Sequence, residues 1–381
     1  MAAAPDRFAT FRAALPFWMS LGMVPLLVAG LALGGAVLLA LPLYGWALVI
    51  VLDRVTGLDE ENADPDHPDR DLFWYRLITL VWFPVQALAL FGAVWWAGSH
   101  AGFAWWELAL LALGLSVMSG PVGIVYAHEL MHQKPRVERW LADLLLATVL
   151  YSHFRSEHLR VHHLHVGTPR DAVSARYDEG FPGYFLRVLR DCAISAWRAE
   201  VALLRRAGLA AWHPRNPFWR YGLLQAMALV LAAGLGGWAG LALFLLQAFL
   251  AVWQLELTNY IEHYGLTRRH LGDGVYERVL PRHSWNATQR ASNWLLINLQ
   301  RHSDHHVRPD RRFPLLQTHG PDAAPQLPLG YTAMAAIAMF PPVWRRLMNP
   351  RVRDWRRQFY PDIRDWTAYD AGTNPMPRGA S

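Results

Sequence analysis

The sequence predicts an all-α, polytopic membrane protein: six transmembrane helices carrying a histidine-rich domain on the cytoplasmic side. Three observations predict it. The 381 residues are 53% hydrophobic and 17% charged, with 19 tryptophans, far from a soluble average. Several apolar runs approach the roughly 20 residues that a helix needs to cross the hydrocarbon core. Most of the paired histidines fall in short boxes at the ends of those runs.

The runs are 15–34, 36–52, 77–97, 104–126, 221–237 and 239–258. The second and fifth are short for a crossing. The run 141–151 reads as a re-entrant or interfacial helix. "GLGGWAG" at 234–240 joins two apolar runs rather than a strand to a helix, so it reads as an extracytoplasmic turn and not a dinucleotide loop. Orientation follows from basic residues, which accumulate in cytoplasmic loops. The connections near 35, at 98–103 and near 238 hold no Lys or Arg, whereas 1–14, 53–76, 134–220 and 262–381 hold all 36. Both termini and the segments 127–220 and 259–355 are therefore expected in the cytoplasm. The net charge of +6 is explained by this asymmetry and does not call for nucleic acid, which needs a basic face interleaved with stacking aromatics.

Arg7 and Arg12 ahead of an apolar run imitate a signal peptide, but the run passes directly into a second span with no polar mature start. The acidic connection "DEENADPDHPDRD" at 59–71 reads as a solvated loop. The tail 356–381 is expected to be partly disordered, chiefly beyond about 370. A single cysteine, Cys192, excludes both a disulfide framework and a cysteine-ligated cluster in this chain.

Seventeen histidines carry the chemical signal. His128 and His132 stand four apart in "AHELMHQ"; His158, His162 and His163 in "SEHLRVHH"; His263 in "NYIEHYGL"; His302, His305 and His306 in "QRHSDHH". Residues three or four apart share a helix face, so each multiple box can present two imidazoles to one point. Ionisable groups at that depth are costly unless paired or bound to metal, and imidazole is a common metal ligand. Nine such nitrogens exceed what one first-row ion accepts, so two metals are implied. Glu129, Glu157, Glu262 and Asp304 adjoin the boxes, either as further ligands or as carboxylates that orient the rings. "HELMH" also matches the zinc-protease helix with Glu129 as general base, but one zinc leaves three boxes unexplained. A metal transporter predicts polar residues deep in several spans, and these spans are nearly all apolar. The remaining histidines, including His67, His100, His213 and His319, are expected at the surface or behind the ligands.

The four boxes, with "TPRDAVSAR" after the second, "HSWN" after the third and "LPLGY" near 328, resemble the membrane-bound non-haem di-iron alkane 1-monooxygenases, within the fatty acid desaturase-like histidine-box superfamily. The resemblance runs from about 40 to 355. Fatty acyl desaturases and xylene-type methyl monooxygenases share the looser pattern and are the alternatives. Met131, Gln133 and Val161 depart from residues frequent in that family. The resemblance implies that the nine histidines ligate two Fe ions cycling between Fe2+ and Fe3+. It implies terminal hydroxylation of linear alkanes by O2, in the bacterial inner (plasma) membrane, with no nucleic acid. It further implies a rubredoxin-type electron donor with its reductase, because the four thiolates such a donor needs are absent here. "RPDRR" at 308–312 and "RRLMNPRVRDWRR" at 345–357 are candidate docking segments for that donor. An alkane must lie among the spans, and Gly45 beside Trp46 in the second span is the candidate wall of its tunnel, the alternative for Gly45 being close helix packing.

Overall fold

The structure, a computed structural model, describes residues 10–100 and 104–375. Arg7, the connection 101–103 and the last six residues of the tail lie outside it. The chain opens with α1 (Phe11–Leu33) and α2 (Gly35–Thr56), followed by α3 (Asp69–Ser99) and α4 (Trp105–His132). Then come α5 (Arg136–Ala147), α6 (154–165), α7 (Phe181–Arg206) and α8 (Phe218–His263). A two-stranded hairpin, β1 (His270–Gly272) with β2 (Val275–Tyr276), leads into α9 (Arg290–Leu295), α10 (His302–Val307), α11 (Tyr331–Ala338), α12 (Pro341–Phe359) and α13 (Thr367–Asp370).

Five helices, α1 to α4 and α8, are long and apolar enough to cross a membrane. Their boundaries explain the connections. Gly34 ends α1 at φ 61°, ψ −161°, a backbone state that only glycine adopts at low cost, and the chain turns straight into α2. The carboxylate of Glu107 braces that turn: Oε1 accepts from Gly35 N at 2.7 Å and Oε2 from Ala104 N at 2.9 Å. Gly237 repeats the device inside α8, at φ 55°, ψ −146°. A Cβ on Gly240 would lie 3.3 Å from Ala232 O, whereas eight residues of straight helix span about 12 Å. The two halves of α8 therefore fold back on each other at the glycine-rich turn.

α3 and α4 run past the apolar stretches that define them. α3 starts eight residues before the run at 77, and α4 continues six residues beyond 126 to carry "HELMH" as its last turn. The stretch at 141–151 becomes the amphipathic α5 and the turn after it, with Leu145 and Leu146 buried and Trp140 exposed.

The acidic loop after α2 is largely exposed, as its composition suggests, but it also straps the segment that precedes and follows α10. Asp59 N donates to Thr288 O at 2.7 Å, and Asn62 exchanges two hydrogen bonds with Thr318, at 2.7 and 3.0 Å. Buried Arg301 holds the loop from below, donating to Glu61 O at 3.0 Å and pairing with Asp59 at 3.1 Å. Several of the loop's backbone groups, Asp59 N and Glu61 O among them, thus find partners on the protein. The tail is ordered through 375 by contacts such as Tyr276 Oη to Asn374 at 2.7 Å.

Candidate metal centre

The nine boxed histidines converge into two groups. His128, His132, His158, His163 and His305 form one; His162, His263, His302 and His306 form the other. Within each group the ligand-capable nitrogens all lie within 4.8 Å of one another. The groups adjoin: the His163 and His306 rings are 4.8 Å apart, and His302 and His305 are 5.6 Å apart.

Local backbone geometry decides which histidine joins which group. His128 and His132 sit one turn apart on the end of α4, as simple helical spacing predicts. α6 does not follow that spacing. His158–His162 is a π-helical turn, with His163 N donating to His158 O, so residues five apart share a face. His158 and His163 therefore meet, Nε2 to Nε2, at 2.9 Å, while His162 is turned to the other group. α10 divides likewise: His302 and His306 meet at 3.0 Å, and His305 faces His163 at 3.1 Å. His263 is the last residue of α8, delivered 3.2 Å from His302.

These contacts fit a metal and fit little else. Nitrogens bound at about 2.0–2.1 Å to one ion lie about 3.0–3.4 Å from each other, close to the observed 2.9–3.2 Å. An uncharged imidazole Nε2 carries either one proton or one lone pair. His158 Nε2 nevertheless faces both His128 and His163 at 2.9 Å, and His163 Nε2 also faces His305. Lone pairs crowded together in this way call for a shared cation. Burial, then the neighbouring imidazoles, hold His158, His163, His302, His305 and His306 well below the ordinary histidine range. The rings are therefore neutral, as ligands must be.

The four acidic neighbours separate. Glu262 Oε1 lies 3.4 Å from His302 Nδ1, beside the ring but not hydrogen-bonded to it. Glu129 accepts from Gln133 Nε2 at 3.1 Å, and Arg312 stands 4.0 Å away. Asp304 turns outward to Arg311 at 2.5 Å, Gln317 N at 3.0 Å and His319 at 3.6 Å, so His319 sits behind the box rather than apart from it. Glu157 is fully buried, with neither carboxylate oxygen hydrogen-bonded among the described residues.

Two residues that spacing does not single out complete the frame. Asp171, inside "TPRDAVSAR", accepts from His162 Nδ1 at 3.0 Å, and Ser174 Oγ at 2.7 Å fixes the carboxylate. Asn286, the last residue of "HSWN", accepts from Ser303 N at 2.9 Å and so fixes the first turn of α10. Tyr331 of "LPLGY" accepts nothing from a histidine; it donates to Trp285 O at 2.7 Å and supports the same segment. Carboxylates beside imidazole boxes are a readable signal, but Asp171 is nine residues from its partner and only the fold joins them.

A narrow cavity ends on His128, His158 and His302, so it faces both groups. Its walls come from α4, the second half of α8, the start of α6 and the segment before α10, with Ile124, Val125, Phe154, Leu255 and Leu299 apolar and Gln254 and Thr258 polar. Trp46 reaches this wall from α2, donating to Gln254 Oε1 at 3.1 Å. Gly45 is buried against Val117, where a Cβ would overlap the valine side chain.

Comparison with known proteins agrees with this geometry. A family model described as fatty acid desaturase matches residues 103–338. "Alkane 1-monooxygenase 1" of Pseudomonas aeruginosa is 41% identical over 311 residues, 80% of each chain. The chain belongs to the alkane 1-monooxygenase family. "Alkane 1-monooxygenase 2" of Alcanivorax borkumensis is 38% identical over 316 residues, 81% of this chain and 80% of the relative. A more distant relative is the xylene/toluene monooxygenase hydroxylase component of Pseudomonas putida, 27% identical over 249 residues, 65% of each chain. Gln133 becomes the partner of Glu129, and Val161 is buried in the π turn of α6.

Proposed function

We propose that this protein hydroxylates linear alkanes at the terminal carbon, giving 1-alkanols from O2 and two electrons supplied by a rubredoxin-type donor with its reductase. The observation that carries the proposal is a pair of adjoining imidazole groups, five and four strong, at the end of an apolar cavity between α4 and α8. All nine histidines ligate, one iron to each group. Bound there, the two irons supply the reduction of O2 and the oxidising power for an unactivated C–H bond. The chain supplies the rest. Asp171 fixes the ring of His162 from its Nδ1 side, and Glu262 stands 3.4 Å from His302 Nδ1. Phe154, Leu255 and Leu299 exclude water and hold the hydrocarbon end near both groups. Glu129 and Asp304 act at one remove, through Gln133, Arg312 and Arg311.

The reversal at Gly237 supports counting α8 as two spans and the bundle as six. With six, both termini and the imidazole groups share a face, which the distribution of basic residues makes cytoplasmic in a bacterial inner membrane. The zinc-protease alternative loses its support, because the "HELMH" pair sits among three further imidazoles and Glu129 is engaged by Gln133.

The test is direct. Membranes containing the protein, rubredoxin, its reductase and a linear alkane should yield the 1-alkanol by mass spectrometry. Iron-loaded protein that yields none rejects the proposal.

Two predictions follow from the walls of the site. Asp171→Asn removes the carboxylate behind His162, and losses of this kind typically cost about 10–100-fold in metal affinity. Iron retained after dialysis against a graded chelator should fall accordingly; unchanged retention contradicts the assignment. Trp46 borders the cavity through Gln254, and Gly45 beside it is the proposed wall on the α2 side. Gly45→Trp should shorten the longest alkane accepted while short ones still react, as read from a mixed alkane series. Equal loss at every length would assign Gly45 to its contact with Val117 alone.

A further inference from the structure

Away from the alkane cavity, a groove of ≈ 830 Å³ runs between α6, α7 and the region of the hairpin. Its lining includes Arg160, Arg170, Arg198 and Arg206, all exposed and none with an ion-pair or side-chain hydrogen-bond partner among the described residues. The two acids that line it are already engaged, Asp171 by His162 and Ser174, and Asp191 by Arg190 at 2.7 Å. Unpaired positive charge held in a concave surface attracts an acidic partner and speeds its encounter. The arginines of "RPDRR" and "RRLMNPRVRDWRR" are in contrast largely spent within the protein. Arg311 pairs with Asp304 and Arg312 with Glu138; Arg345 pairs with Asp178, Arg356 with Asp370 and Arg357 with Asp354.

The geometry points to this arginine groove as the docking surface of an acidic, soluble one-electron carrier protein, with Asp171 and His162 as the point where its electrons enter. Asp171 lies just beneath the groove floor, its buried carboxylate 3.0 Å from His162 Nδ1, so a single side chain separates that floor from the four-histidine group. The size of the surface favours a protein over a small anion. On α7, Asp191, Arg198 and Arg206 line one face, and their 15-residue span extends about 22 Å along the helix. Exposed Leu164, Ile194 and Leu203 lie among the charges, giving the apolar patches a protein interface needs. Alkane hydroxylation, RH + O2 + 2 e⁻ + 2 H⁺ → ROH + H2O, takes two electrons. Each encounter oxidises one carrier by one electron, so two carriers dock per turnover.

This placement rests on the reading that a soluble carrier feeds the site, and the experiment separates the two. Binding of purified rubredoxin to the full chain in detergent is measured at low and high salt, independently of catalysis. Arg170→Glu/Arg198→Glu should weaken binding by about 30-fold or more at low salt, leave iron content unchanged and flatten the salt dependence. Arg346→Glu, an exposed arginine of "RRLMNPRVRDWRR", should bind as the unmodified protein does. Wild-type affinity in the double variant, or loss confined to Arg346→Glu, overturns the groove. So does a double variant that loses binding to phosphatidylglycerol vesicles while keeping rubredoxin, which would make the groove a lipid site. Wild-type protein that binds rubredoxin through the groove but makes no alkanol upholds the docking surface and rejects the reaction instead.

Discussion

Replacing His305 or His263 with alanine should abolish alkane hydroxylation while leaving the protein in the membrane. The two positions sample different groups. His305 faces His128 and His163 in the five-histidine group, and His263 closes the four-histidine group against His302. Loss of a residue behind a ligand already costs about 10–100-fold, so loss of the ligand itself should exceed about 100-fold in activity. Insertion should survive, because it depends on the apolar surface of α1 to α4 and α8 and on their internally satisfied backbones. The control is His213→Ala, a half-buried loop histidine outside both groups whose Nδ1 accepts from Arg215 N at 3.2 Å. Measured as 1-alkanol per unit of membrane-extracted protein, equal activity across all three variants would dissolve the assignment of the boxes.

Arg312→Ala should be the most destabilising single change near the site. Arg312 is 5% exposed and grips Glu138, itself 3% exposed, through two bonds of 2.5 and 3.0 Å. It also reaches Asp69 at 3.3 Å. One guanidinium thus ties the segment after α10 to α5 and to the start of α3. Removing one partner of a buried ion pair leaves the other charge uncompensated, at about 3–5 kcal/mol. Arg76 remains 3.1 Å from Glu138 and is partly exposed, so the lower end, about 3 kcal/mol, is expected. Thermal unfolding in detergent should show the loss. Arg312→Met combined with Glu138→Leu should restore much of it, since an apolar pair of similar volume leaves no buried charge. A midpoint unchanged by Arg312→Ala would mean the pair contributes nothing.

Much of this architecture is legible because membranes impose simple rules. Span length and histidines at span ends suffice to find the apolar helices and the nine imidazoles that the fold gathers. What escapes has a physical cause in each case. The partition of histidines between groups depends on the π turn at His158–His162, and helical spacing alone pairs His158 with His162 instead of His163. The role of Asp171 depends on a loop bringing it back to α6. The acidic stretch at 59–71 has the composition of a solvated loop, but Arg301 and Asn62 turn it into a strap. Basic segments show their charge in sequence and hide their partners. "RPDRR" looks free on the page, whereas Arg311 and Arg312 are both consumed by carboxylates.

On the proposed function, the nine imidazoles hold two irons. Elemental analysis of protein purified from iron-replete cells tests it most directly. The geometry predicts about two irons per chain and no stoichiometric zinc, with iron falling in both the His305→Ala and His263→Ala variants. One zinc per chain and no iron would contradict it.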